Sequence, residues 1–96
     1  MRDVFEDPAV SAAVDEAKGR WARAEDSWDA LVWTIARDPE MGEALTESGK
    51  TRALTLEGAR SIDLPTITAV YEWDETQVTV TAVHFEDSQH GQSGTA

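Results

Sequence analysis

Val10, Ala13, Val14, Ala17 and Trp21 recur at intervals of three and four, with Asp15, Glu16 and Lys18 on the other side. That spacing is the apolar face of a helix. Asp7-Pro8 just upstream is a start signal, because a carboxylate can cap free amides and proline suits the first helical position. Gly19 marks a break or kink, after which Ala24, Trp28, Leu31, Val32 and Ile35 form a second helical stripe. Asp26 or Ser27 would cap that helix, and Arg37 near its end suits the negative pole of the helix dipole. Asp38-Pro39 ends it, since a residue before proline avoids the α conformation. The predicted helices are 8–20 and 26–37, close enough in sequence to form an αα-hairpin.

Beyond Pro39 the pattern changes. Glu40 to Leu45 reads as one short helical turn, punctuated by Ser48-Gly49. Arg52–Leu56 alternates weakly, Leu64–Trp73 is rich in threonine, β-branched and aromatic residues, and Gln77–Phe85 is the clearest strand. Trp73 to Thr76 reads as a tight turn between the last two. Within the final strand Val78, Val80 and Ala82 share a face under strict alternation, with His84 on it, while Val83 and Phe85 point the other way. Either both faces are partly buried or a bulge shifts the phase near Ala82. A short strand around Arg2–Phe5 would give the order β-α-α-β-β-β. The expected fold is α+β: two N-terminal helices packed on a small antiparallel sheet of three to four strands. One domain is expected at 1–87, followed by a flexible, glycine-rich polar tail at 88–96.

Composition narrows the function classes. An apolar fraction of 41% with four tryptophans argues against disorder throughout. No apolar run approaches the roughly 18 residues of a membrane span, so a soluble, cytoplasmic protein is expected. The chain has no cysteine, which rules out disulfides and thiolate chemistry. Nineteen acidic residues against eight basic ones give a formal charge of −11. The basic residues are Arg2, Lys18, Arg20, Arg23, Arg37, Lys50, Arg52 and Arg60, so Ser61–Ala96 holds none. Such a field repels phosphate backbones, which disfavours direct nucleic-acid binding; an acidic surface ordinarily serves solubility, and a basic protein partner steered in by the field is the functional alternative.

The two-helix start, then Ala36-Arg37-Asp38-Pro39-Glu40-Met41-Gly42-Glu43-Ala44-Leu45 and Thr51-Arg52-Ala53-Leu54, resembles the RelE/ParE toxin superfamily. Ile67-Thr68-Ala69-Val70-Tyr71-Glu72-Trp73-Asp74 resembles that family's central strand, and Gln77–Phe85 its final one. The resemblance implies a small α+β toxin of a type II toxin-antitoxin system, neutralised by a cognate antitoxin. RelE-type members cut messenger RNA on the ribosome, and ParE-type members inhibit DNA gyrase. The ribonuclease branch holds phosphate with arginines and lysines on its sheet, often with a histidine or tyrosine. Here Thr68 stands three residues before Tyr71, where that branch often has arginine.

Candidate residues follow. Arg52 and Arg60 supply cations and His84 an acid or base, so an incomplete metal-independent ribonuclease site would draw these three together. Tyr71 could orient a substrate, although an aromatic in a strand more often packs. Trp33 lies off the apolar stripe of its helix and is a candidate interface anchor. His84, Glu86 and His90 do not make a preorganised metal set, so no metal is expected. No nucleotide-binding glycine motif is present, and no cofactor is expected. The leading expectation is a toxin-like protein acting through protein–protein binding. A metal-independent RNA-cleaving enzyme and a non-toxic acidic interaction domain stand as alternatives, and an acidic edge strand such as 77–86 could pair with a partner's strand or with a second copy in a homodimer.

Overall fold

The structure, a computed structural model, describes residues 1–88. Most of the predicted tail lies outside the described residues; Ser88 is described and is buried. Chain order is β1 (Asp3–Glu6), α1 (Pro8–Lys18), α2 (Ala24–Arg37), a 3₁₀ turn (Pro39–Met41), β2 (Glu43–Ala44), β3 (Thr51–Leu56), a second 3₁₀ turn (Arg60–Ile62), β4 (Thr66–Trp73) and β5 (Gln77–Glu86). The α+β class and the two N-terminal helices match expectation. The sheet does not: it has five strands in the order β1-β5-β4-β3-β2 and is mixed, because β1 runs parallel to β5.

Both helices form where their stripes predict, but their ends are set differently. Pro8 opens α1 and Asp7 occupies the cap position, yet its carboxylate makes no capping bond. The second helix begins at Ala24 rather than 26. The two residues just before it are held from across the fold: Ala22 N–H donates to the Asp63 carboxylate at 2.6 Å and Arg23 N–H to the Asp63 carbonyl at 3.1 Å. Asp63 reaches them from the left-handed region (φ 56°), which a short polar side chain tolerates. Ser27 is therefore no cap. It is buried, and its hydroxyl donates to the Pro65 carbonyl at 2.8 Å, tying α2 to the start of β4.

The segment read as a helical turn at 40–45 splits in two. Gly42 takes an extended backbone (φ −76°, ψ 167°) and ends the 3₁₀ turn. Glu43 and Ala44 then pair antiparallel with Ala53 and Arg52 as β2.

The core lies between the helix pair and one face of the sheet. Val10, Val14 and Ala17 of α1 and Trp28, Leu31 and Ile35 of α2 pack with Leu54, Ile67, Ala69, Tyr71, Val78 and Val80. Burying one large aliphatic side chain stabilises by about 1.5–3 kcal/mol, so this layer is the main source of stability. Trp21 closes one end by stacking on Phe85 with ring centroids 6.2 Å apart. Its indole N–H donates to Asp87 at 2.8 Å.

The phase problem in β5 resolves as a bulge. Tyr71 pairs with Val80 but Val70 with Ala82, leaving Thr81 as the extra residue. Val83 and Phe85 therefore rejoin the face of Val78 and Val80, pairing with Ala69 and Ile67. His84, expected on the Val78/Val80 face, moves to the opposite one and pairs with Thr68.

Candidate functional site

Register assigns every strand residue to a face. Arg52, Leu54 and Leu56 of β3 align with Tyr71, Ala69 and Ile67 of β4 on the helix-covered side. The open side carries Thr51, Ala53 and Thr55, then Glu72, Val70 and Thr68, then Thr79, Ala82 and His84. This face is hydroxyl-rich, and the Thr55 and Thr68 hydroxyls lie 2.8 Å apart across it. Among the described residues the strands contribute no lysine or arginine to it. Lys50 stands at one corner, in a cleft of about 190 Å³ with Glu72, Trp73 and Gln77, and its ammonium lies 4.3 Å from the Trp73 ring centroid.

The three proposed phosphate-handling residues are not brought together. Arg52 lies on the helix-covered side and is tied to backbone through Nε and one terminal nitrogen. Its Nε donates to the Gly49 carbonyl at 2.8 Å, and one terminal nitrogen donates to the carbonyls of Gly42 (2.8 Å) and Glu40 (3.3 Å). His84 is exposed on the open face, 3.9 Å from the Glu86 carboxylate. It pairs through Thr68 with Thr55, three residues and about 10 Å along the strand from Arg52. Arg60 is exposed on the second 3₁₀ turn, beyond the other end of β3. The arrangement offers no cationic cradle built from these residues.

Tyr71 is fully buried, and both hydrogen-bonding capacities of its hydroxyl are satisfied. The phenol donates to the Pro39 carbonyl at 2.6 Å and accepts from the Gly42 amide at 3.1 Å. Burial pushes its pKa above 10.0, outweighing the downward pull of the Gly42 hydrogen bond and of the Arg52 charge; Asp38 adds a smaller push upward. Tyr71 and Arg52 thus act on one object, the corner at Asp38–Gly42. A glycine is required there: a Cβ on Gly42 would stand 2.5 Å from the Tyr71 hydroxyl and 2.7 Å from the Ala53 carbonyl.

No family model, curated protein or solved structure matches this chain in comparison. The functional reading therefore rests on the residues themselves.

Trp33 is 56% exposed on the outer side of α2, with the Arg37 guanidinium 4.2 Å over its ring. With Thr34, Asp38 and the exposed Met41 it lines a shallow cleft of about 340 Å³. A larger cleft, about 640 Å³, runs between α2 and the β3–β4 connection, with Leu56, Ile62 and Leu64 on one wall and Arg23 and Asp26 on the other. Sequence reasoning passed over that second cleft because Ile62 belongs to no periodic stripe. No cluster of three or more metal-ligating side chains occurs among the described residues. No helix is long and apolar enough to cross a membrane.

Proposed function

We propose that this chain is a RelE/ParE-like toxin-family protein that works by binding protein, with a cognate antitoxin as its partner. The observation that carries the reading is the engagement of Arg52. The arginine nearest the sheet holds three carbonyls of its own chain, and the open face has no strand-borne cation among the described residues. Metal-free phosphoryl transfer needs preorganised positive charge at the reacting phosphate. Binding a protein target, as in the ParE-type action on gyrase, needs none.

Two further features support it. Two helices followed by strands is the order the resemblance implies, and the Asp38-Pro39-Glu40-Met41-Gly42 corner is tied to the central-strand Tyr71. The charge of −11 adds a field that slows encounter with RNA and speeds encounter with a basic protein.

The test is induction in the host with and without the adjacent open reading frame, scoring growth, messenger RNA integrity and plasmid supercoiling. Growth arrest relieved by the neighbour, with messenger RNA intact, is the expected result. Cleaved messenger RNA would return the ribonuclease reading to first place. Unaffected growth would leave a non-toxic interaction domain.

A further inference from the structure

The final strand is ten residues long, but β1 covers only Gln77–Val80. The reason is local: the ladder's last rung is Asp7 N–H to the Val80 carbonyl at 3.1 Å, and Pro8 then turns the chain into α1. The half of β5 at 81–86 is left as an outer edge with no strand beside it among the described residues.

Hydrogen-bond directions at that edge follow from the alternation of an antiparallel pair. Asp74 N–H donates to the Gln77 carbonyl and Trp73 N–H to the Lys50 carbonyl, so Gln77 and Thr79 face β4 while Val78 and Val80 face β1. Beyond the bulge, Ala82, His84 and Glu86 face β4. Val83 and Phe85 therefore direct their N–H and C=O groups outward at strand spacing. Such an edge is a template for another chain. Beside it, between α1 and β5, runs a groove of about 180 Å³ whose walls include Glu16, Arg20 and Trp21.

We propose that this half-edge takes an added strand: an extended, cationic polypeptide segment that pairs with Val83 and Phe85 and sets an apolar side chain in the groove beside Trp21. The proposal rests on the reading that the chain acts by binding protein and specifies where and by what chemistry. Extended geometry follows from the edge, since only main-chain groups in β conformation satisfy it. The apolar side chain follows from the aromatic wall. Positive charge follows from the surroundings: Glu86 and Asp87 follow Phe85 directly in the chain and Glu16 lines the groove, against one cation there, Arg20. The guanidinium of Arg20 is laid over the Trp21 ring, 4.4 Å from its centroid. A second copy is the poorer occupant, because pairing the same edge about a two-fold sets one charge of −11 against another and Glu86 and Asp87 against their own kind.

Two measurements on the full chain test this. In amide exchange without ligand, Val83 and Phe85 should exchange faster than Ala82 and His84; equal protection of all four would show the edge already occupied and end the proposal. A library of displayed decapeptides panned on the chain should enrich sequences alternating apolar residues with lysine or arginine. Synthetic versions should then protect the Val83 and Phe85 amides. N-methylation of alternate peptide residues should abolish that protection, and Glu16→Lys with Glu86→Lys should weaken binding about tenfold at low salt. A library that yields no such sequences, or peptides that leave both amides exchanging, overturns the proposal. The two readings fail separately. A co-encoded partner that relieves toxicity without protecting these amides overturns the edge proposal alone. Cationic peptides that protect them in a chain with no toxicity leave it standing.

Discussion

The phenol of Tyr71 donates to the carbonyl of Pro39 at 2.6 Å, joining residues 32 positions apart and anchoring the exit of α2 to the middle of the sheet. The same oxygen accepts from Gly42, so removing it strands a buried amide as well as a carbonyl. Tyr71→Phe should cost about 1–3 kcal/mol, the range for a buried polar group left without its partner. Denaturant unfolding should show a lower midpoint with an unchanged slope. A loss too small to measure would mean that the corner is held by Arg52 alone.

Tyr71 is the chain's single tyrosine, so its ionisation can be followed by tyrosinate absorbance without assignment. Its pKa is raised above 10.0 chiefly by burial. A group with a raised folded pKa contributes stability that is complete below the unfolded value and is lost as pH rises through the folded one. The native chain should therefore titrate above 10.0 and the urea-unfolded chain near it, and stability should fall on the alkaline side. Tyr71→Phe should remove that alkaline loss.

Arg52 tests the same corner from the other side. A lysine ammonium lacks the planar fork that meets the Gly49, Gly42 and Glu40 carbonyls together. Arg52→Lys should lose about 1–2 kcal/mol, and Arg52→Ala somewhat more. The informative comparison is with growth arrest. If Arg52 is structural, arrest should fall only in step with the folded fraction; loss of activity in a fully folded Arg52→Lys chain would argue for a phosphate-handling role.

The helices were legible from sequence because a stripe such as Val10, Val14, Ala17 and Trp21 is a local signal that burial then exploits. What was illegible came from partners distant in sequence. The start of α2 is set by Asp63, and no residue near position 24 announces that. The strand Glu43–Ala44 exists because Gly42 extends beneath Tyr71 and Arg52, a long-range arrangement hidden in a segment with helical composition. Parallel pairing of β1 with β5 joins the two ends of the domain and leaves no periodic trace. At the candidate site, residue type drew attention to Arg52 as a phosphate-handling cation and to Tyr71 as a substrate-orienting or packing aromatic. Their partners are main-chain carbonyls and an amide, which a sequence does not mark, so their structural employment could not be read there.

Asp74 holds the β4–β5 turn with one carboxylate oxygen, which accepts from the amides of Thr76 (2.8 Å) and Gln77 (2.9 Å) and from the Thr76 hydroxyl (3.0 Å). The Thr76 amide is the largest cause of a carboxyl pKa below the ordinary 3.8, followed by the Gln77 amide. A depressed folded pKa contributes stability that is present above the unfolded value and disappears as pH falls through the folded one. Asp74→Ala should therefore be less stable than the parent at neutral pH, and the gap should close below 3.8. A gap that stays constant with pH would mean that the turn's shape, rather than its charge, is what the carboxylate supplies.

The bulge at Thr81 offers a test of the register itself. Deleting Thr81 leaves Val80, Ala82, Val83, His84 and Phe85 in unbroken alternation, so the valines and Phe85 keep the covered face and His84 the open one. That variant should unfold cooperatively, losing only the local twist a bulge provides. Deleting Val83 instead, with the bulge kept, puts His84 where Val83 packed against Ala69 and turns Phe85 away from Trp21. The second variant should lose its cooperative transition and the buried-indole fluorescence of Trp21. If both deletions behave alike, side-chain phase does not govern this strand, and the outward direction of Val83 and Phe85 loses its basis.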